Sequence, residues 1–289
     1  MVDKLGFGGA TLTNLKSLRE IMRLLDTAFE FGIRHFDTAP LYGQGYSEVI
    51  YGRFLKNKRN QVTLTTKFGL GNDHNTDTLS VHLILALNYI VKSIRRHPAG
   101  ASSGTDVYKG PDVRKIDKGS IQRSFETSLK RLQTDYVDYY LLHEGLPSFL
   151  TDEAFNYLQE LKKQGSVRQI GVGTNALGFK TVNASDFVNW DVLQYDGNEP
   201  ALTKEIMSKL PGHRHFHHSC LKGFHDPSLQ HIPAYQRGGY LISQAVDRNP
   251  SGKIIFSTRS VSSIKSNVES FLKFVENPGL VNTLLSQKK

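Results

Sequence analysis

"GIRHFDTAPLYG", residues 32–43, starts as a short apolar strand and breaks at Pro40 and Gly43. Asp37 stands at the end of that strand and Tyr42 just beyond the break. An acid contributes little to packing, so its position at a strand end calls for a chemical reason. Working outward, the same rhythm recurs. "KLGFGGA" (4–10) reads as a strand ending in glycines, Gly9 among them, and "SLREIMRLLDTAFEFG" (17–32) as a helix capped by Ser17 and stopped at Gly32. "SEVIYGRFLKN" (47–57) reads as a helix with Ser47 and Glu48 suited to its first turn, and "QVTLTTKFGL" (61–70) alternates as a third strand.

Past a long interruption the alternation resumes. Strands are expected at 136–144, 167–175, 191–196, 213–219 and 252–258, with helices at 120–133, 152–166, 202–212, within 229–248 and at 260–277. Eight strands alternating with helices over 289 residues, with no internal break in composition, predict an α/β fold. The expected architecture is a single (β/α)8 TIM barrel spanning 1–289 with a long insertion after strand three. The insertion, about 71–119, contains one apolar helical stretch and then a run rich in Gly, Ser, Lys and Asp. Loops this long are often functional lids; the other reading is a surface insertion with one docked helix.

Composition narrows the function. Hydrophobic residues make up 38% and charged residues 22%, which fits a globular chain rather than a disordered one. No run approaches the ~18–20 apolar residues of a membrane span, and no secretory signal is read at the start. The one cysteine, Cys220, suits a reducing compartment, so a cytoplasmic location is expected. The net charge is +9, but Lys and Arg are scattered without an aromatic-interleaved stripe. Nucleic acid is therefore not the expected partner, and a phosphate-bearing small molecule accounts for the charge by steering.

In a barrel all strand C-termini open on one face. Strand two would bring Asp37 and Tyr42 there, strand three Lys67 and strand four His143. A phenol titrates near ~10 and donates poorly at neutral pH. A neighbouring ammonium favours the phenolate, and a carboxylate keeps that amine charged. An imidazole can donate a hydrogen bond to a substrate oxygen. The set suits proton transfer to a carbonyl, with hydride left to a cofactor.

These residues resemble the aldo-keto reductase superfamily. "GIRHFDTAPLYG" looks like its strand-two signature, "TTKFG" its lysine strand, "YYLLHE" its histidine strand, "RQIGVGTNA" the segment usually ending in Gly-x-Ser-Asn, and "VLQYD" the one carrying an amide-binding glutamine. The resemblance implies Tyr42 as general acid in reduction, Lys67 lowering its pKa, Asp37 pairing with Lys67, and His143 orienting the carbonyl. It implies Thr174, Asn175 and Gln194 as ligands of the nicotinamide carboxamide, with Thr174 in place of the usual serine. Gly9 joins the cofactor set by the same resemblance. "SCLKGF" (219–224) resembles the pyrophosphate loop, which implies roles for Ser219, Leu221 and Lys222; Cys220 stands where proline is common, and His218 where an aromatic ring usually stacks on the nicotinamide. "STRSVSSIKSN" (257–267) resembles the adenosine-phosphate segment. There Arg259 and Ser260 would bind the 2′-phosphate and Asn267 the adenine, making NADPH the implied cofactor. The chain has no G-x-G-x-x-G in a strand–helix context.

The reading that follows is NADPH-dependent interconversion of an aldehyde or ketone, or a sugar-like substrate, with an alcohol. Two alternatives stand beside it: a non-enzymatic NADPH-sensing subunit of the same fold, and a Schiff-base aldolase using Lys67. His213, His215 and His217 alternate on one strand face. Side chains two apart on a strand lie ~7 Å from each other, wide for one ion, so no metal site is expected. No oligomeric state is implied.

Overall fold

Strands buried on both faces are near-continuous apolar runs, as in all-parallel sheets covered by helices. In the computed structural model, which describes residues 1–70, 80–83, 85, 115–180 and 182–280, this is how the strands lie. β1 (Leu5–Gly8), β2 (His35–Asp37), β3 (Thr63–Phe68), β4 (Val137–His143), β5 (Val167–Gly173), β6 (Val192–Asp196), β7 (Arg214–His218) and β8 (Lys253–Phe256) form a closed barrel in sequential order. Every neighbouring pair is parallel, and β8 closes back on β1 through Leu5–Ile254 and Phe7–Phe256. The intervening helices are α1 (Leu18–Glu30), α2 (Tyr46–Leu55), α3 (Lys118–Leu132), α4 (Asp152–Lys163), α5 (Ala176–Lys180), α6 (Pro200–Lys209), α7 (Ala234–Arg248) and α8 (Val261–Glu276). The insertion at about 71–119, read as a lid or as a surface insertion with one docked helix, lies outside the described residues except for 80–83, 85 and 115–119. Among the described residues no helix is long and apolar enough to cross a membrane.

Strand alternation sorts the side chains. On β3, Thr66 turns outward and donates to Glu48 of α2 at 2.7 Å, while Lys67 turns inward. On β4, Tyr140 turns outward against Phe68 and Phe125, while Tyr139, Leu141 and His143 occupy the alternate positions. The rings of His35, Tyr139 and Phe216 meet edge-on at 4.9–5.5 Å across the lumen. All three are buried and fill the lumen below the strand C-termini.

Ser47 and Glu48 stand in the first turn of α2, as expected, but both face inward. Ser47 Oγ donates to the Gly9 carbonyl at 3.1 Å and accepts from Thr38 Oγ1 at 2.8 Å. Glu48 is wholly buried and takes Arg131 of α3 at 3.2 Å. The reason is the turn before α2: Gly43, Gln44 and Gly45 all have positive φ (58°, 57° and 89°), and this rotates the start of the helix inward. A Cβ on Gly45 would meet the Arg131 guanidinium carbon at 2.5 Å, so glycine is needed there for space as well as for conformation.

Candidate active site

β2 ends at Asp37 and the chain turns through Thr38, Ala39 and Pro40, the Tyr42 N–H donating back to the Ala39 carbonyl at 3.0 Å. This short turn leaves Tyr42 over the barrel mouth. Lys67 rises from β3 beneath it and uses all three ammonium protons: on Asp37 Oδ1 at 2.8 Å, on the Thr38 carbonyl at 3.0 Å and on Tyr42 Oη at 3.3 Å. Because the ammonium donates to the phenol oxygen, the phenol's own proton is left free to donate elsewhere. His143, at the end of β4, stands edge-on to the Tyr42 ring at 5.7 Å and 88°. The structure thus brings Asp37, Tyr42, Lys67 and His143 together at one end of the barrel.

Burial works against charge throughout this cluster. Burial alone would lower the Lys67 pKa, but the Asp37 carboxylate and Tyr42 together outweigh it and hold the ammonium above its ordinary value. Burial pushes Tyr42 above its ordinary value, with Lys67 pulling the other way. The lowering expected from Lys67 is therefore present but smaller than the effect of burial, and the phenol stays protonated at neutral pH. Burial, then the Lys67 and His218 charges, push His143 down to about 3, so its imidazole is neutral with a single N–H. Its Nδ1 is buried without a partner.

Toward β5 and β6, Thr174 is buried and donates to Glu144 Oε2 at 3.4 Å, which leaves its oxygen lone pairs available. Asn175 is exposed; its Oδ1 caps the Gly178 N–H at 2.9 Å, leaving its amide protons free to donate. Gln194, 3% exposed, donates from Nε2 to Asp37 Oδ2 at 3.0 Å, and its Oε1 has no partner. Gly9 is buried beside Asp37, its N–H on the Asp37 carbonyl at 2.7 Å. A Cβ there would come within 2.5 Å of the Tyr51 ring and 2.6 Å of Ser47 Oγ, so packing against α2 accounts for this glycine.

The β7 and β8 ends differ. His218 Nδ1 and Ser219 Oγ share a hydrogen bond at 2.8 Å, and Ser219 sits at φ 65°. Leu221 and Lys222 follow in a 3-10 turn, Lys222 exposed. Arg259 is exposed; Ser260 caps α8, accepting from the Ser263 N–H at 3.1 Å. Asn267 is 6% exposed, and a Cβ on Gly238 of α7 would fall 1.9 Å from its Oδ1, so it is wedged between the last two helices. Just before β7, His213 bonds to the Phe187 carbonyl at 2.8 Å, and on its outer face His215 joins the Tyr195 hydroxyl at 2.9 Å and the Leu210 carbonyl at 3.0 Å. Their nitrogens serve the packing of the outer layer. Sequence reasoning passed over Glu144, whose signal was an acid directly after a strand-end histidine. It is half-buried at φ 52°, and burial raises its pKa.

Such a mouth, with an ammonium wedged between a carboxylate and a phenol in a closed parallel barrel, defines an α/β barrel equipped for proton transfer. The chain belongs to the aldo/keto reductase family, whose model matches residues 4–195, from β1 into β6. It is 30% identical over 183 residues to D-threo-aldose 1-dehydrogenase of Pseudomonas sp, the match taking in 60% of this chain and 50% of that protein. The chain spans about half the length of the curated relatives it matches. In fold it resembles the holo form of an aldo-keto reductase from Bacillus halodurans (TM-score 0.65, 21% identity, covering 93% of this chain and 86% of that one). It also resembles an aldo-keto reductase from Klebsiella pneumoniae in complex with NADPH (TM-score 0.61, 17% identity, covering 92% and 84%).

Proposed function

We propose that the protein is an NADPH-dependent reductase that converts an aldehyde or ketone to an alcohol, and runs the reverse oxidation on sugar-like alcohols. The observation that carries this reading is the state of Tyr42: its oxygen accepts from the Lys67 ammonium, and its own proton has no acceptor among the described residues. A neutral His143 beside it offers a second N–H. Two donors side by side at the barrel mouth suit a carbonyl oxygen. The phenol would protonate the oxygen as negative charge develops on it, and Lys67, held charged by Asp37, would stabilise the phenolate left behind.

The residues fit a nicotinamide cofactor. Gln194 Oε1 is a buried acceptor without a donor, and Asn175 has free amide protons at the same edge of the mouth. Lys222 and Arg259 are exposed cations on the loops after β7 and β8. Bound there, the cofactor would supply the hydride. Gln194, Asn175 and Thr174 would orient its amide, His218 would flank its ring, and Ser219, Leu221 and Lys222 would take the diphosphate. Arg259 and Ser260 would take the 2′-phosphate and Asn267 the adenine edge. The NADPH complex of the Klebsiella protein supports the cofactor, and the name of the Pseudomonas relative supports a small sugar-like substrate.

A Schiff-base role for Lys67 needs a neutral amine, and the Asp37 ion pair opposes it. NADPH oxidation followed at its absorbance across a panel of aldehydes, ketones and aldoses tests the proposal. Turnover that disappears in Tyr42→Phe supports it. Tight NADPH binding with no turnover on any carbonyl would leave the cofactor-sensing alternative in its place.

A further inference from the structure

Asp37 has two carboxylate oxygens and two side-chain donors. Oδ1 takes Lys67 from β3, and Oδ2 takes Gln194 from β6, 157 residues away. β6 pairs with β5 and β7, not with β2, so the Gln194 side chain reaches Asp37 across the lumen. Two donors from different sides of the barrel fix the plane of the carboxylate, and with it the position of the ammonium that touches Tyr42. The amide's orientation follows from chemistry: a carboxylate only accepts, so the NH2 end faces Asp37 and Oε1 faces away. Oε1 then lies beside β5, 3.8 Å from where a Cβ on Gly173 would be, next to Thr174. It is buried and has no donor among the described residues. A buried acceptor without a partner is costly, on the order of 1–3 kcal/mol, and calls for an explanation.

We propose that Gln194, whose Oε1 the proposed function gives to the cofactor amide, is also a positioning residue: its Nε2 clamps Asp37 against Lys67. Amide binding and proton donation then share one chain: Oε1, Nε2, Asp37, Lys67, Tyr42. This rests on the reading of Tyr42 as proton donor. Beyond the chain itself, the ionisable groups facing this spot are His35 from β2, Tyr51 from α2, His143 and Glu144 at the end of β4 and His218 from β7, with Asp196 further along β6.

Gln194→Met and Gln194→Glu test it in the full-length protein. Met removes both the clamp and the acceptor. With it, kcat for carbonyl reduction should fall ~10-fold or more at every pH, and the NADPH Kd, read from quenching of intrinsic fluorescence, should rise ~5-fold. Glu keeps the acceptor and sets a second carboxylate against Asp37. Two carboxylates so close share one proton. At low pH that proton replaces the amide N–H and kcat approaches wild type; as pH rises and the proton leaves, kcat falls ~10-fold while Kd holds within about threefold. The pair's pKa is raised in the folded state, so the apo Gln194→Glu protein should lose stability relative to wild type as pH rises through it. Equal, pH-independent losses in the two variants, or no loss in either, would overturn the clamp. If wild type turns over no carbonyl, the reductase reading fails on its own. The pH-dependent unfolding of apo Gln194→Glu then still decides for the clamp, and a pH-independent difference decides against it.

Discussion

The sector of the barrel built from β2, β3 and β4 and the sector built from β7 and β8 are organised in opposite ways. In the first, Asp37, Lys67 and His143 are buried, and the three protons of Lys67 are all placed on protein oxygens. In the second, Lys222 and Arg259 are exposed, and Ser219 bonds to the adjacent His218 and Ser260 to Ser262 and Ser263. The lesson is about preorganisation. A proton donor must be tuned before substrate arrives, so its neighbours are fixed by the protein. Groups that grip a flexible, charged ligand can stay in water until the ligand orders them.

Four experiments would sharpen or break that contrast. The largest effect should come from the support behind the first sector. Glu48→Ala removes the buried carboxylate that takes Thr66 and Arg131 beneath the Tyr42 turn, and should cost about 3–5 kcal/mol of unfolding free energy. Urea unfolding reads this, and a loss below 1 kcal/mol would show that the turn is held by something else. Next, Lys67→Met should lower kcat by ~10³-fold with the NADPH Kd little changed. A matching loss of affinity would mean that the two sectors are not separable.

Third is acid lability. Burial pushes His143 and His217, one in each sector, down to about 3. Unfolded, each titrates at its ordinary 6.5, so the unfolded chain binds the extra protons. Stability is complete above pH 6.5 and is lost as pH falls toward 3, by about 2 kcal/mol per histidine at pH 5. His217→Asn should flatten the fall in Tm between pH 6.5 and 5; an unchanged slope would put the lability elsewhere. Smallest is Arg259→Ala, which should weaken NADPH ~10-fold and leave NADH unaffected. Equal weakening of both would remove the 2′-phosphate assignment.

Much of this was legible in one dimension. The strand expected at 136–144 is β4 (Val137–His143), and the helix expected at 260–277 is α8 (Val261–Glu276), because period-two and period-3.6 patterns are local and survive in the sequence. The strand-end positions of Asp37, Lys67 and His143 followed from the same pattern. The inward turn of Glu48 did not, since its partner Arg131 is 83 residues away. The Gln194 contact with Asp37 was equally hidden, as was the reason for Gly9, whose added Cβ would strike the ring of Tyr51.

The order of strands and helices, and the acid, phenol, amine and imidazole at three consecutive strand ends, were determined by the sequence alone, because they depend on residues within a few positions of one another. Only closure of the barrel decided that Lys67 touches Asp37 and Tyr42 at once, that Gln194 crosses the lumen, and that burial outweighs charge at Tyr42. Those outcomes depend on distance and on the exclusion of water, which exist only once the chain has closed on itself.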